Sequence, residues 1–172
     1  SASKNDDTIA WYENDGSESF TEHAISTSAD GAFSVYAVDV DGDGDMDVLS
    51  ASQSDDKVAW YENDGSESFT EHVISTSANH ASTVYAADVD GDGDMDVLSA
   101  CDGDDKIAWY ENDGSESFTE HAISTSANGA RSVYAADVDG DGYMDVLSAS
   151  FTDDKIAWYE QDGSPNNVFQ PQ

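Results

Sequence analysis

Five carboxylates within nine residues repel one another unless something positive lies among them. The stretch DVDGDGDMD occupies residues 39–47, returns unchanged at 88–96, and recurs as DVDGDGYMD at 137–145. Numbered from the first acid, positions 1, 3, 5 and 9 are aspartate in every copy. They are Asp39, Asp41, Asp43 and Asp47; Asp88, Asp90, Asp92 and Asp96; and Asp137, Asp139, Asp141 and Asp145. Position 6 is Gly44, Gly93 and Gly142. Oxygen-only side chains at alternate positions, with glycine at the sharp turn, form the donor set of a Ca²⁺ loop. A hard cation takes many oxygen ligands, and alternate residues point inward as the chain curls round it. Mg²⁺ suits the set less well, because it prefers few carboxylates and several waters.

Position 7 discriminates between side-chain and backbone ligation. It is Asp45, Asp94 and then Tyr143. A side-chain ligand is lost on changing to tyrosine, whereas a carbonyl ligand is kept. Asp45, Asp94 and Tyr143 are therefore expected to contribute their C=O groups, as position 7 does in known Ca²⁺ loops. An EF-hand needs an acid at position 12 and flanking helices. Here position 12 is Ser50, Ser99 and Ser148, and the flanks are strand-like, so the loop ends at position 9 and closes a hairpin. The expectation is about three Ca²⁺ per chain.

The elements that position these loops repeat with them. WYEN at 11–14, 60–63 and 109–112, and WYEQ at 158–161, set a period of 49 residues, which GSESFTEH at 16–23, 65–72 and 114–121 follows. Each repeat holds four strand-like runs, such as STVYAADV (82–89), DVLSA (96–100), KIAWYEN (106–112) and SFTEHAIS (117–124). Asp113-Gly114 is a hairpin signal between the last two, and no helical periodicity appears. In KIAWYEN, Ile107 and Trp109 face one way and Ala108 and Tyr110 the other, so both faces are apolar. A sheet covered on both sides by neighbours has that pattern. Four strands per unit at this period predict an all-β fold of β-propeller-type blades, about 3.5 repeats long. The divisions are a partial blade at 1–32, blades at 33–81 and 82–130, and a partial blade at 131–172. A β-solenoid, whose repeats are much shorter, ranks below.

Charge bounds the partners. Thirty-eight acidic residues against five basic ones give a net charge of −33 over 172 residues. Nucleic acid and anionic membrane surfaces both need Lys and Arg, so neither is an expected partner. High charge with low hydropathy is also a disorder signature. The regular placement of four Trp, eight Tyr and six Phe argues instead for a packed core. Cys101 stands where Ser52 and Ser150 stand in other copies and reads as a small half-buried thiol. No apolar run approaches the ~18 residues of a membrane helix.

Other residues offer less chemistry. His23, His72 and His121 share one position in the fourth strand, separated by whole blades, which favours packing or hydrogen bonding over a metal ring. The aromatic rings of Trp11, Trp60, Trp109 and Trp158 suit sugar stacking, but their mid-strand placement favours the core. No Gly-x-Ser-x-Gly elbow occurs, and no site breaks the repeat symmetry strongly, so no enzyme is expected. The stretches KNDD (4–7), QSDD (53–56), DGDD (102–105) and FTDD (151–154) vary at one loop. Such a loop is a place for binding specificity or for neutral drift.

The pattern Asp-x-Asp-x-Asp-Gly-x-x-Asp between two strands resembles the Ca²⁺ loops of FG-GAP repeats, the blades of integrin α-subunit propellers and their bacterial VCBS-type relatives. DGYMDVL at 141–147 looks especially like the integrin loop. The Phe-Gly and Gly-Ala-Pro that name the family are absent, and SAS at 50–52 and 148–150 stands where the latter would fall. The resemblance implies structural Ca²⁺ ions, with ligand surfaces on loops elsewhere. The expected role is a secreted or cell-surface scaffold or ligand- and protein-binding module. The alternative is a carbohydrate-binding, lectin-like propeller or an accessory domain of a carbohydrate-active enzyme. Three blades and a spare strand are too few to close a ring, so either chains associate or the chain is a fragment of a longer array; a homodimer completing the ring is the expectation. Strand counting suggests six blades, and counting by length seven.

Overall fold

The computed structural model describes residues 1–163 and 169–172. Among these residues the chain is all-β, with fifteen strands in four antiparallel sheets. The first sheet has three strands: β1 (Ala2–Ser3), β2 (Thr8–Asn14) and β3 (Phe20–Ser26). The second runs β4 (Ala32–Val38), β5 (Asp47–Ser52), β6 (Lys57–Asn63) and β7 (Phe69–Ser75). The third repeats it as β8 (Ala81–Ala87), β9 (Asp96–Cys101), β10 (Lys106–Asn112) and β11 (Phe118–Ser124). The fourth comprises β12 (Ala130–Ala136), β13 (Asp145–Ser150), β14 (Lys155–Gln161) and β15 (Phe169–Pro171). Residues 164–168 lie outside the described residues. Phe169–Pro171 pair with β14, with Gln161 opposite Phe169. No helix of the described residues is long and apolar enough to cross a membrane.

Strand order within each sheet follows chain order, as short hairpin connections require. The first strand of each full sheet lies innermost. There β4 packs on β8 and β8 on β12, and the described sheets succeed one another without closing a ring. Tyr36, Tyr85 and Tyr134 of these inner strands form a ladder, with ring centroids 4.9 and 4.7 Å apart. Burial, followed by the neighbouring Tyr134 and Tyr36, raises the Tyr85 phenol above its ordinary range.

The third strands of the second and third sheets are the hubs of packing. Ala108 and Tyr110 face the second sheet, joining Val58, Trp60 and Ala81. Ile107 and Trp109 face the fourth, joining Ala130, Ala157 and Tyr159. All four are at most 1 % exposed, the two-sided burial that the alternation predicts. A bulge between Ile107 and Ala108 shifts the register against β11, and the same bulge recurs at Ile9/Ala10 and Val58/Ala59. The extra residue bends the outer strand and increases the local twist.

Sheets are also tied by a polar clamp. Asp7, Asp56 and Asp105 sit in the left-handed region, with φ of 57°, 55° and 56°. The Asp56 carbonyl accepts from Ala78 N–H at 2.9 Å, and its carboxylate accepts from His80 N–H at 2.9 Å. Asp7 holds Ala29 and Gly31 in the same way, and Asp105 holds Ala127 and Gly129. The last acid of each variable loop thus fixes the linker that enters the next sheet.

Truncating a fully buried Trp removes its packing on both neighbours. Trp109→Ala is expected to cost ~3–5 kcal/mol, whereas Phe151→Ala, at a side chain 75 % exposed, should stay within ~0.5 kcal/mol. Urea unfolding of the two variants measures the difference.

Candidate functional site

Each acidic nonapeptide connects an inner strand to the second strand of the same sheet, β4 to β5, β8 to β9 and β12 to β13. The loop curls round its own carboxylates. Asp39 accepts from Gly42 N–H at 2.8 Å and Gly44 N–H at 3.1 Å, Asp41 from Asp43 N–H at 3.0 Å, and Asp43 from Asp45 N–H at 2.8 Å. The other two loops repeat this network, including Tyr143 N–H to Asp141. Position 6 needs a positive φ, 97° at Gly44, 103° at Gly93 and 98° at Gly142, which glycine adopts without a Cβ penalty.

Three carboxylates converge in each loop, with one oxygen from each lying within 4.8 Å of the others. They are Asp39, Asp41 and Asp43; Asp88, Asp90 and Asp96; and Asp137, Asp139 and Asp145. Positions 1 and 3 are common to all three groups. Position 5 completes the first group and position 9 the other two, so Asp47, Asp92 and Asp141 stand outside the convergent groups. The all-oxygen donor set fits a hard divalent cation and would hold Ca²⁺ through these side chains. Burial raises the Asp41 and Asp90 carboxyls above the ordinary range, and repulsion from neighbouring acids adds to it.

Position 9 has a second task. Asp47, Asp96 and Asp145 are fully buried. Asp96 accepts from Val89 N–H at 3.0 Å within the loop and from Asn112 N–H at 2.8 Å at the end of β10. Asp47 and Asp145 make the same pair of bonds, to Val40 and Asn63 and to Val138 and Gln161. Asn63 and Asn112 then donate their side-chain amides to the Met46 and Met95 carbonyls at 3.2 Å. Burial pushes the Asp96 carboxyl up to about 7 despite these donors. The Trp109 indole N–H lies near enough to favour the charged form, yet makes no full hydrogen bond to any described residue.

The position 7 side chains turn away to the neighbouring hairpin. Asp45, Asp94 and Tyr143 lie against Gly65, Gly114 and Gly163, where an added Cβ would collide with them. These glycines also have positive φ, 75°, 73° and 69°. The side chain at position 7 therefore packs on a glycine platform, and tyrosine fits there as aspartate does.

The remaining sequence candidates resolve into packing. His23, His72 and His121 stack on Trp11, Trp60 and Trp109 with centroids 4.3, 4.6 and 4.7 Å apart, and bond Glu13, Glu62 and Glu111. Trp60 and Trp109 are buried and offer no ring face to a sugar. Cys101 is fully buried, more so than expected, and burial pushes its thiol up to about 11. The variable loop couples sheets: Lys4 Nζ donates to Gln53 at 2.7 Å, Gln53 Nε2 to Ser82 at 3.2 Å, and Arg131 pairs with Asp102 at 2.9 Å. Its variation there follows the neighbour it must meet.

The family model for the FG-GAP-like repeat matches this chain three times, over residues 1–50, 39–99 and 88–148. A comparison with curated proteins gives no match.

Position 9 can be separated from position 7 in metal-free buffer. Asp96→Asn replaces an acceptor oxygen by an amide that faces a backbone N–H, and one buried donor loses its partner. In EDTA it should cost ~1–3 kcal/mol, whereas Asp94→Asn should change stability by less than ~0.5 kcal/mol. Chemical denaturation of both variants measures this.

Proposed function

Since the chain belongs to the FG-GAP-like repeat family, we propose that it is a calcium-stabilised module of β-propeller-like blades. It works outside the cell as a scaffold or as a surface for a ligand or protein, and it binds rather than catalyses. The observation that carries this reading is the convergence of three carboxylates in each of three equivalent loops. Repulsion among them is relieved by one divalent cation per loop. Hard oxygen donors, glycine-permitted curvature and backbone N–H groups that hold each carboxylate in place all favour Ca²⁺. The ligand set is the position 1, 3, 5 and 9 acids with the position 7 carbonyl.

The location follows from the charge and the ion. A chain of net charge −33 suits a compartment rich in Ca²⁺, and extracellular modules bind the ion with dissociation constants of about 0.1–1 mM. The uniform repeat gives every sheet the same chemistry, which suits a scaffold better than a single reaction centre.

Metal removal tests the reading. At about ten times the dissociation constant, each site adds ~1.4 kcal/mol, so three add ~4 kcal/mol. EDTA should lower the melting temperature substantially, and elemental analysis should find close to three calcium ions per chain. An unchanged melt and no bound metal would sink the proposal.

The roles within one loop are tested separately by calorimetric titration. Asp43→Ala should abolish or strongly weaken one site. Asp45→Ala should leave it nearly intact, because that residue acts through its carbonyl. Equal losses would show that Asp45 binds by its side chain.

A further inference from the structure

Each sheet that carries an acidic loop sets a tryptophan beside the last acid of that loop. The second strands begin at Asp47, Asp96 and Asp145. Two positions on, Leu49, Leu98 and Leu147 share a face with that acid, because side chains alternate along a strand. The register places Trp60 opposite Leu49, Trp109 opposite Leu98 and Trp158 opposite Leu147. Each indole is therefore the diagonal neighbour of a position 9 carboxylate on the same face, a separation that aromatic side chains span.

The indole nitrogens at these three places share a second property. Nε1 of Trp60, Trp109 and Trp158 is buried and makes no full hydrogen bond to any described residue. Trp60 and Trp109 are at most 1 % exposed, so water does not reach their N–H groups. A buried donor without an acceptor is costly, and buried polar groups are otherwise paired. The rings are not free to turn elsewhere. His72 and His121 stack on Trp60 and Trp109 from the outer strand, and the opposite edges pack in the core clusters between sheets. Trp109 Nε1 lies near enough to Asp96 to favour its charged form.

We propose that Trp60, Trp109 and Trp158 are positioning residues of the three cation sites, each donating its Nε1–H to the position 9 carboxylate when the loop holds its ion. The proposal rests on the calcium reading above and extends it to residues outside the loops. Asp96 has one backbone donor on each oxygen, Val89 N–H on Oδ2 and Asn112 N–H on Oδ1. A carboxylate offers about four lone-pair sites, so acceptor capacity remains for a cation and for an indole. A third donor fixes the plane of the carboxylate, and groups that hydrogen-bond a ligating carboxylate tune the affinity for its metal. The same indoles fill the contacts between sheets. Trp60 packs with Ala86 and Val97 of the third sheet, and Trp109 with Ala135 and Ala157 of the fourth. Occupancy of one loop is thereby felt at the seam with the following sheet.

A calcium titration of the full chain, starting from EDTA-treated protein and followed by nitrogen–proton NMR, tests this through the indole N–H signals of the four tryptophans. The signals of Trp60, Trp109 and Trp158 should move downfield and exchange more slowly with solvent as calcium binds. The signal of Trp11, whose sheet has no acidic loop among the described residues, should stay in place. Trp109→Phe removes the donor and keeps an aromatic ring. Calorimetry should then show one site weakened about tenfold or more and two unchanged. Trp11→Phe, which loses the same ring volume, should leave all three sites as they were. A wild-type chain that binds no calcium would sink the calcium reading together with the inference. Calcium binding with unmoved indole signals, or a Trp109→Phe chain with three unchanged affinities, would overturn the inference alone. Where Trp109→Phe does not fold, the wild-type spectrum decides.

Discussion

The buried carboxylate at position 9 joins two structures that would otherwise be independent. A charge taken out of water is costly unless donors or a counterion replace its hydration. Asp96 receives two backbone donors, one from its own loop and one from the end of the third strand. They hold the acidic loop against the sheet and leave the charge only partly compensated, as its raised proton affinity shows. A cation held among the neighbouring carboxylates would complete that compensation. It would act beyond the loop, because the position 9 acid of the convergent group in the second and third loops also secures the hairpin that follows, β9 and β10 or β13 and β14. The Asn112 amide extends the same connection to the position 8 carbonyl.

Cohesion between sheets is carried by different groups in a different place. At the loop end the bonds stay within one sheet, from acid to loop to third strand. At the opposite end the left-handed aspartates reach forward into the next linker. Between the two ends lie the Trp, the aliphatic residue beside it and the Tyr of the following sheet. Each sheet thus contacts only its neighbours, and stability is a sum of sheet and junction contributions. The stacked His–Trp pairs with their Glu partners close the outer edge and keep the indole faces from water.

The 49-residue period and the spacing of DVDGDGDMD made the architecture and the acidic sites legible, because both repeat in register. The two-sided apolar pattern of KIAWYEN correctly indicated sheets covered on both faces. Tyr143 led to the expectation of a carbonyl ligand at position 7, and the structure shows the side chain there lying against a glycine of the adjacent turn. Other features were hidden by abundance or by geometry. The clamp acids Asp7, Asp56 and Asp105 are single aspartates among many, and only their positive φ reveals the task. The anchoring of Asp47 by Val40 and Asn63 needs a contact across sixteen residues, which no local pattern displays. Phe169 fills the place of Phe118 although it lies two residues beyond the strict period, so a match by spacing misses it. The variable loop looked suited to external recognition, yet Gln53 and Asp102 face neighbouring sheets, and their variation tracks an internal partner.

The forward reach of the clamp also bears on how such an array changes length over generations. The acceptor at the end of one variable loop and the N–H groups of the following linker recur every 49 residues, and neither depends on which repeat supplies them. A recombination event that gains or loses one period returns the same acceptor to the same donors, wherever within the period the breakpoint falls. The clamp does not have to be invented for the new neighbour. Copy number can therefore drift while the clamp at every internal seam stays chemically the same, and only the paired residues of the variable loop must be matched anew. Near-identity of sequence between repeats is then the expected trace of recent duplication, with fit at the seams adjusted in the variable loop alone.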